Sequence, residues 1–389
     1  MSLRFALFYA VLFVATGIQL PYWPLWLNDR GLDASTIGIL VAVQLWVKVA
    51  FNPLAGQAVD ATGRRRTVLL ILILGAMAGY ALFPAARGFP ALLALSALTG
   101  GLFAAILPVV DTLTMSHVAL GRLDYGRIRL WGSLAFIAAS AGTGHFLVHA
   151  APAVIVWLIV ATLAPLALCT LALPERPAVA PGGRTRMGWI DLLRSRSFLL
   201  FLAATAATGA AHAAYYGFAT LHWRNAGLGM GWIGALWGTG VVAEVSLFAF
   251  SGAVVRRVGP EALILAGSLG GIVRWTLLAL TTDPRILLPV QCLHALTFGA
   301  THLGAMHFLA RNVAPSVSGR AQGLYAALGN GVVLGLATWM AGHLYVAIGG
   351  RTFLAMTALS VMGTLAALAL IRVRRRTSPL PPARGSGGG

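Results

Sequence analysis

Charge is scarce in this chain, and acid scarcer still. Of 389 residues only 10% are charged, with ten Asp and Glu set against 28 Lys and Arg. A soluble protein carries about a quarter charged residues, so too few polar side chains remain here to cover a water-facing surface. Lysine is almost absent: Lys48 is alone among 27 arginines. Cysteine is limited to Cys169 and Cys292, each inside an apolar run and without metal-ligand spacing. No nucleotide-binding P-loop and no HExxH is present, which argues against an ATP-driven pump and against an enzyme, and no cofactor or metal is expected. What is abundant is apolar length, with 58% hydrophobic residues in long continuous runs. A membrane helix takes about 20 such residues. The runs lack the alternation of barrel strands, and in lipid only helices or closed barrels satisfy the backbone. An all-α membrane protein is therefore expected.

Twelve spans are predicted, near 5–27, 36–57, 67–86, 91–117, 128–149, 152–173, 198–223, 231–254, 262–282, 286–310, 320–345 and 351–372. The first, "MSLRFALFYAVLFVATGIQLPYW", lacks a clear small-residue cleavage site and reads as helix 1 rather than a signal peptide. The net charge of +18 comes from arginines clustered between the spans. Twenty-one fall at one face and five at the other (Arg30, Arg87, Arg224, Arg285 and Arg351), with Arg274 inside a span. This is the positive-inside pattern. It argues against nucleic-acid binding and places both termini in the cytoplasm of a multi-pass plasma-membrane protein, a bacterial inner membrane being expected. The Pro-, Gly- and Arg-rich stretch 174–188 divides the chain. The expected organisation is a six-helix bundle over 1–173, a cytoplasmic linker over 174–197, a second bundle over 198–373 and a tail over 374–389. "GWIDLLRSRSF" after the linker reads as a short interfacial helix.

The halves repeat. "GLDASTIGIL" from Gly31 and "GLGMGWIGAL" from Gly227 share G-L-x-x-x-x-I-G-x-L at an offset of 196, and "GQAVDATGR" from Gly56 matches "GAVVRRVGP" from Gly252 in its outer glycines. Internal repeats of this kind mark secondary transporters, whose sites form between halves near the midplane. The same offset carries Lys48, in "AVQLWVKVAF", onto Glu244, in "GTGVVAEVSLF". Opposite charges at equivalent points can attract across the seam or share a ligand.

"GQAVDATGRRR" resembles the loop 2–3 signature of the major facilitator superfamily, G-x-x-x-D-x-x-G-R-R, through Gly56, Asp60, Gly63, Arg64 and Arg65. "LDYGRIRLWGSLAF" with Asp124 and Arg127, "HAAYYGF", "GVVAEV" and "GGIVRW" resemble the phenylpropionate permease branch, near the nucleoside and oligosaccharide proton symporters. The resemblance spans residues 1–373. It implies the major facilitator fold of two pseudo-symmetric bundles that rock to give alternating access, and a monomer. It also implies that Asp60 sits near the start of helix 11, around Gly319 and Arg320, as a latch on the outward-facing state. Arg256 stands where a second such latch would need its acid.

Four charges fall within spans: Lys48, Asp111, Glu244 and Arg274. Each costs roughly 2.5–3.5 kcal/mol to insert, which makes them functional candidates; the alternative is a pair of salt bridges that orient helices. Their formal charges sum to zero, so an anionic substrate needs a proton on Glu244 or Asp111 to restore balance. The expected coupling is a substrate carboxylate on Lys48 or Arg274 and a proton on the acid it frees. His212, His294 and His302 add ligand or proton-carrying candidates, while His307 reads as near the cytoplasmic end. The symporters resembled use a helix 8 carboxylate, a helix 9 arginine and a helix 10 histidine with a carboxylate. Glu244, Arg274 and His294 or His302 look similar, but helix 10 here has no acid. Gln19 and Trp23 in helix 1, with Tyr216 and Trp237, are expected to meet a planar substrate; Trp26 suits an interfacial belt. Glycine pairs such as Gly234 and Gly238, or Gly331 and Gly335, suit close helix packing. The expected function is proton-coupled symport of a small organic solute, a phenylpropionate-like aromatic acid first. A nucleoside or sugar symporter, a drug-type efflux antiporter, and a non-transporting sensor or scaffold on the same fold are the alternatives.

Overall fold

A computed structural model describes residues 2–118, 120–121, 123–174, 189–313 and 317–377. Most of the expected linker and tail, with Arg122, Arg176, Arg184, Arg186 and Arg384, lies outside the described residues. Twelve long helical elements follow in order: α1 (Ser2–Asp29), α2 (Ala34–Thr62), α3 (Arg65–Leu82), α4 (Phe89–Val118), α5 (Tyr125–Phe146), α6 (Ile155–Ala172), α7 (Arg196–Ala210 and Ala213–Asn225), α8 (Met230–Ala249, continued as Ser251–Val258), α9 (Pro260–Leu280), α10 (Pro284–Cys292, Ala295–Ala300 and Thr301–Asn312), α11 (Ser318–Ala327, Leu328–Val333 and Leu334–Ile348) and α12 (Thr352–Thr377). No strand is found among the described residues.

Among the described residues ten stretches are long and apolar enough to cross a membrane by length and composition. The tenth, Ser318–Arg375, holds both α11 and α12, which Gly349–Arg351 divides. The helix outside that set is α5, whose apolarity is diluted by Arg127, Arg129, glycines and hydroxyls. The segment read as an interfacial helix is helical over Trp189–Arg194, but its Leu192 is buried against Phe198 and Phe201 in the core of the second bundle.

The repeat is visible as backbone geometry. Gly31 and Gly227, 196 apart, both hold left-handed φ, +81° and +87°; Gly63 and Gly259 repeat this at +67° and +81°. Glycine takes such φ angles most readily, so a glycine ends the corresponding helix in each half, although ψ differs between Gly63 (1°) and Gly259 (159°). Asp33 caps α2 by accepting a hydrogen bond from the Thr36 N–H at 2.8 Å.

The two bundles meet chiefly through α2 with α11, α5 with α8, and α1 with α7. At the end opposite the arginine clusters they are shut, and the repeat's second glycine does the shutting. A Cβ on Gly38 would lie 2.9 Å from the Gly342 Cα, and one on Gly234 would lie 2.7 Å from the Ser140 carbonyl and 3.1 Å from the Ala141 Cα. Ser35 on α2 meets His343 Nδ1 on α11 at 2.6 Å. Toward the arginine-rich end the pairs diverge. α2 packs along Leu328–Ile348 but parts from Ser318–Ala327. A Cβ on Gly56, Gly319 or Gly323 meets nothing within 4 Å, and Asp60 is exposed. The bundles stand apart at that end among the described residues.

Candidate functional site

Three cavities with shared lining residues lie in the interior. The widest, about 680 Å³, lies between α4, α5, α8 and α10 and is walled by Asp111, Tyr125, Arg129, Glu244, Phe298 and His302 among others. A second, about 200 Å³, shares Arg129, Glu244 and Phe298 with it and adds Tyr216, Trp237 and His294. A third, about 180 Å³, lies between α1, α2, α3 and α4; Gln19, Gln44, Lys48 and Tyr80 line it, and Tyr216 borders both it and the second.

Glu244 stands where the first two cavities meet. Its Oε2 is 3.4 Å from His294 Nε2. Behind the wall, Arg274 Nη1 lies 3.0 Å from His294 Nδ1 and 2.9 Å from Thr297 Oγ1, and its Nη2 donates to Gln291 Oε1 at 2.6 Å. A guanidinium can only donate. His294 Nδ1 must therefore accept, which leaves the ring's proton on Nε2, pointing at Glu244. Thr297, already accepting from Arg274, gives its own hydrogen to His212 Nε2 at 3.2 Å. His212 Nδ1 faces the Thr208 and Gly209 carbonyls and so carries that ring's proton. Arg274 sets the direction at His294, and the Thr208 and Gly209 carbonyls set it at His212. His294 thus meets Glu244 as a neutral imidazole at 3.4 Å, not as a charged partner.

The placement of Arg274 departs from the sequence expectation. It is fully buried and lines none of the three cavities. Its charge is met by three neutral acceptors and by the faces of Tyr215 and Trp275, 4.5 and 4.6 Å from the guanidinium carbon. It reaches the cavity only through His294, so a substrate carboxylate cannot touch it in this state. His212 is also behind the wall, stacked on Tyr216 at 5.4 Å. Trp23 borders the third cavity but is only 1% exposed, stacked on Trp26 at 4.9 Å and edge-on to Tyr80 and Phe83. Its ring is held by the first bundle's aromatic core, and Trp26 sits in that core rather than in an exposed belt.

Arg129 runs the other way. Counted on sequence with the arginine-rich face, it lines two of the cavities, 3.9 Å above the Phe13 ring, with Asp111 and Glu244 on the same walls. Two residues along a helix turn it by about 200°, so Arg127 points out while Arg129 points in. That alternation was the legible signal. Asp111 accepts hydrogen bonds from Tyr9, a very short one, and from Tyr125 at 3.2 Å. His302 stacks on Phe298, which stacks on His294. Lys48 and Glu244 occupy different cavities, so the pair suggested by the repeat does not meet. Lys48 has no carboxylate within 4.0 Å among the described residues. The interior charge is three cations (Lys48, Arg129, Arg274) less two anions (Asp111, Glu244), or +1 rather than the zero summed from sequence.

Of the loop signature, Gly63 is the left-handed cap of α2, Arg64 is exposed and Arg65 is buried. Asp124 caps α5 through the Arg127 N–H at 3.1 Å and pairs with the Arg127 side chain at 3.3 Å. Both side chains are largely exposed, and such surface pairs add little.

Two helical bundles closing on a shared charged cavity, open at one end and shut at the other, define a transporter of the major facilitator superfamily, embedded in the membrane by many spans and not an enzyme. The chain belongs to the MFS_1-like family, whose model matches residues 2–355. It is 34% identical over 366 residues to a probable 3-phenylpropionic acid transporter of Escherichia coli (strain K12), covering 92% of this chain and 95% of that protein. It is 30% identical over 383 residues to a maltose permease of Geobacillus stearothermophilus, covering 96% and 95%. Among solved structures, a mutant of the nucleoside transporter NupG superposes with a TM-score of 0.83 at 17% identity, covering 95% of this chain and 99% of that one.

Proposed function

We propose that the protein is a proton-coupled symporter of an aromatic carboxylic acid of phenylpropionate type, working as a monomer in a bacterial inner membrane with both termini in the cytoplasm. On that orientation the arginine-rich opening faces inward. The observation that carries the reading is the Glu244–His294 contact: a cavity carboxylate whose close partner is a neutral imidazole rather than a cation, and so one free to accept a proton. An ionisable residue at membrane depth is a transport-site candidate by default. The interior charge supports coupling. The empty site stands at +1, and a site holding an anion plus a proton on Glu244 also stands at +1, whereas either alone changes it. Empty and fully loaded carriers therefore meet the same electrostatic cost on rocking. Asp111 and His302, on the widest cavity, give the proton a path toward the open end. The 34% identity to a probable 3-phenylpropionic acid transporter supports the substrate class. A second reading, uptake of an uncharged sugar, is favoured by the 30% identity to a maltose permease.

Right-side-out vesicles separate these. An imposed inward pH gradient is expected to drive accumulation of labelled 3-phenylpropionate and not of maltose. Glu244→Gln is expected to abolish gradient-driven accumulation while substrate counterflow continues. Full gradient-driven uptake by Glu244→Gln would remove Glu244 as the proton carrier, and accumulation only in inverted vesicles would make the protein an exporter.

A further inference from the structure

Gln44 lies one helical turn before Lys48, and residues four apart share a face of a helix. Both line the third cavity. Gln44 is 9% exposed. Its Oε1 is 3.5 Å from Gln19 Nε2, which occupies the amide's acceptor side, and its Nε2 is buried with no hydrogen-bond partner. An unpaired buried donor is costly and uncommon in a folded protein. Lys48, beside it, presents an ammonium with no carboxylate within 4.0 Å among the described residues. The stem of Gln44 is fixed from behind, because a Cβ on Gly100 of α4 would come within 2.5 Å of its Cγ. The rest of the cavity is aromatic, with Tyr80, Phe103 and Tyr216 on its walls. A cavity of about 150 Å³ suffices for benzene, and this one measures about 180 Å³.

We propose that Gln44 and Lys48 form the carboxylate clamp of this cavity, with Gln44 setting selectivity for an acid over its neutral analogues. A carboxylate has lone pairs enough to accept from the Gln44 amide and the Lys48 ammonium together; an amide or alcohol cannot satisfy both donors with charge assistance. The aryl group lies against the aromatic walls. The clamp rests on the reading that the substrate is an aryl carboxylate, and adds to it a residue that the charge pattern of the sequence does not reveal.

Calorimetric titration of the purified full-length protein tests it, with 3-phenylpropionate, 3-phenylpropanamide, maltose and uridine as ligands. Wild type is expected to bind the acid about tenfold or more tighter than the amide. Gln44→Leu and Lys48→Met should each weaken the acid about tenfold to a hundredfold and bring the acid-to-amide ratio toward one, with little change for the amide. Gln44→Glu, which gives Lys48 an internal acid, should lose the acid ligand while keeping its melting temperature. Gly100→Ala leaves both donors in the chain but dislodges Gln44, and should lower the ratio even if Gln44→Leu fails to fold. Wild-type affinity and ratio in both Gln44→Leu and Lys48→Met would overturn the clamp while leaving acid transport standing. Binding of maltose or uridine and of no aryl acid would overturn the transport reading, and the clamp with it.

Discussion

At the scale of single residues, the cavity is organised by groups that can only donate. Arg274 fixes the proton on His294 without touching the cavity, and the Thr208 and Gly209 carbonyls fix the one on His212. The planar fork of Arg274 spans three acceptors, which an ammonium cannot do from one point. Arg274→Lys is expected to cost about 1–3 kcal/mol of stability from acceptors left unpaired in the core, read as a lower melting temperature in detergent. It should also change the pH profile of uptake, because His294 is freed to carry its proton on either nitrogen; a purely structural role would lower the melting temperature and leave the profile in place. Arg274, Glu244 and His294 were visible on sequence as ionisable groups inside apolar runs. Arg129 is grouped on sequence with the arginine-rich face, although its two-residue offset from Arg127 sets it on the other side of α5. Gln44 went unnoticed because an amide leaves no trace in a charge pattern.

At the scale of helices, the glycines of the repeat decide how close the bundles come. Gly38 against Gly342 and Gly234 against α5 are backbone-to-backbone approaches at the shut end, the small-residue packing that replaces hydrophobic driving force between helices in lipid. Gly38→Val and Gly234→Val are expected to wedge this end open, and the double variant to do so more completely. Spin labels on α2 and α11 near Ser35 and His343 would show a longer distance in the variants, and a distance equal to wild type would mean the end closes by other contacts. The π-helical turn at Ala295–Ala300 carries Thr297 and adjoins His294, and a second lies in α11 at Leu328–Val333. Such turns are frequent at functional sites and have no sequence signature comparable to a glycine pair.

At the scale of the whole molecule, one end is open and the other shut, and the transport cycle proposed above requires the two to exchange. Gly56, Gly319 and Gly323 look onto open space in this state. Asp60 is exposed at the same end. With Cys169 and Cys292 replaced by serine, a cysteine at Gly319 or Gly323 is expected to react with an impermeant thiol reagent from the arginine-rich side. Gly38→Val should protect it, since opening one end closes the other. Equal labelling in both backgrounds would mean the ends are not coupled.

By itself, the sequence determined the solvent, the spans, the repeat and the family, because each is written in composition or in fixed spacing: apolar length for the bilayer, an offset of 196 for the two halves, G-x-x-x-D-x-x-G-R-R for the turn after α2. Only the tertiary structure decided which buried ions share a cavity. Lys48 and Glu244 are equivalent in the repeat yet part company, and Arg129 joins Glu244 from a position that sequence assigns to the surface. The physical reason is that a helix presents several faces within one turn, and its neighbours, not its own residues, determine which face looks into the cavity.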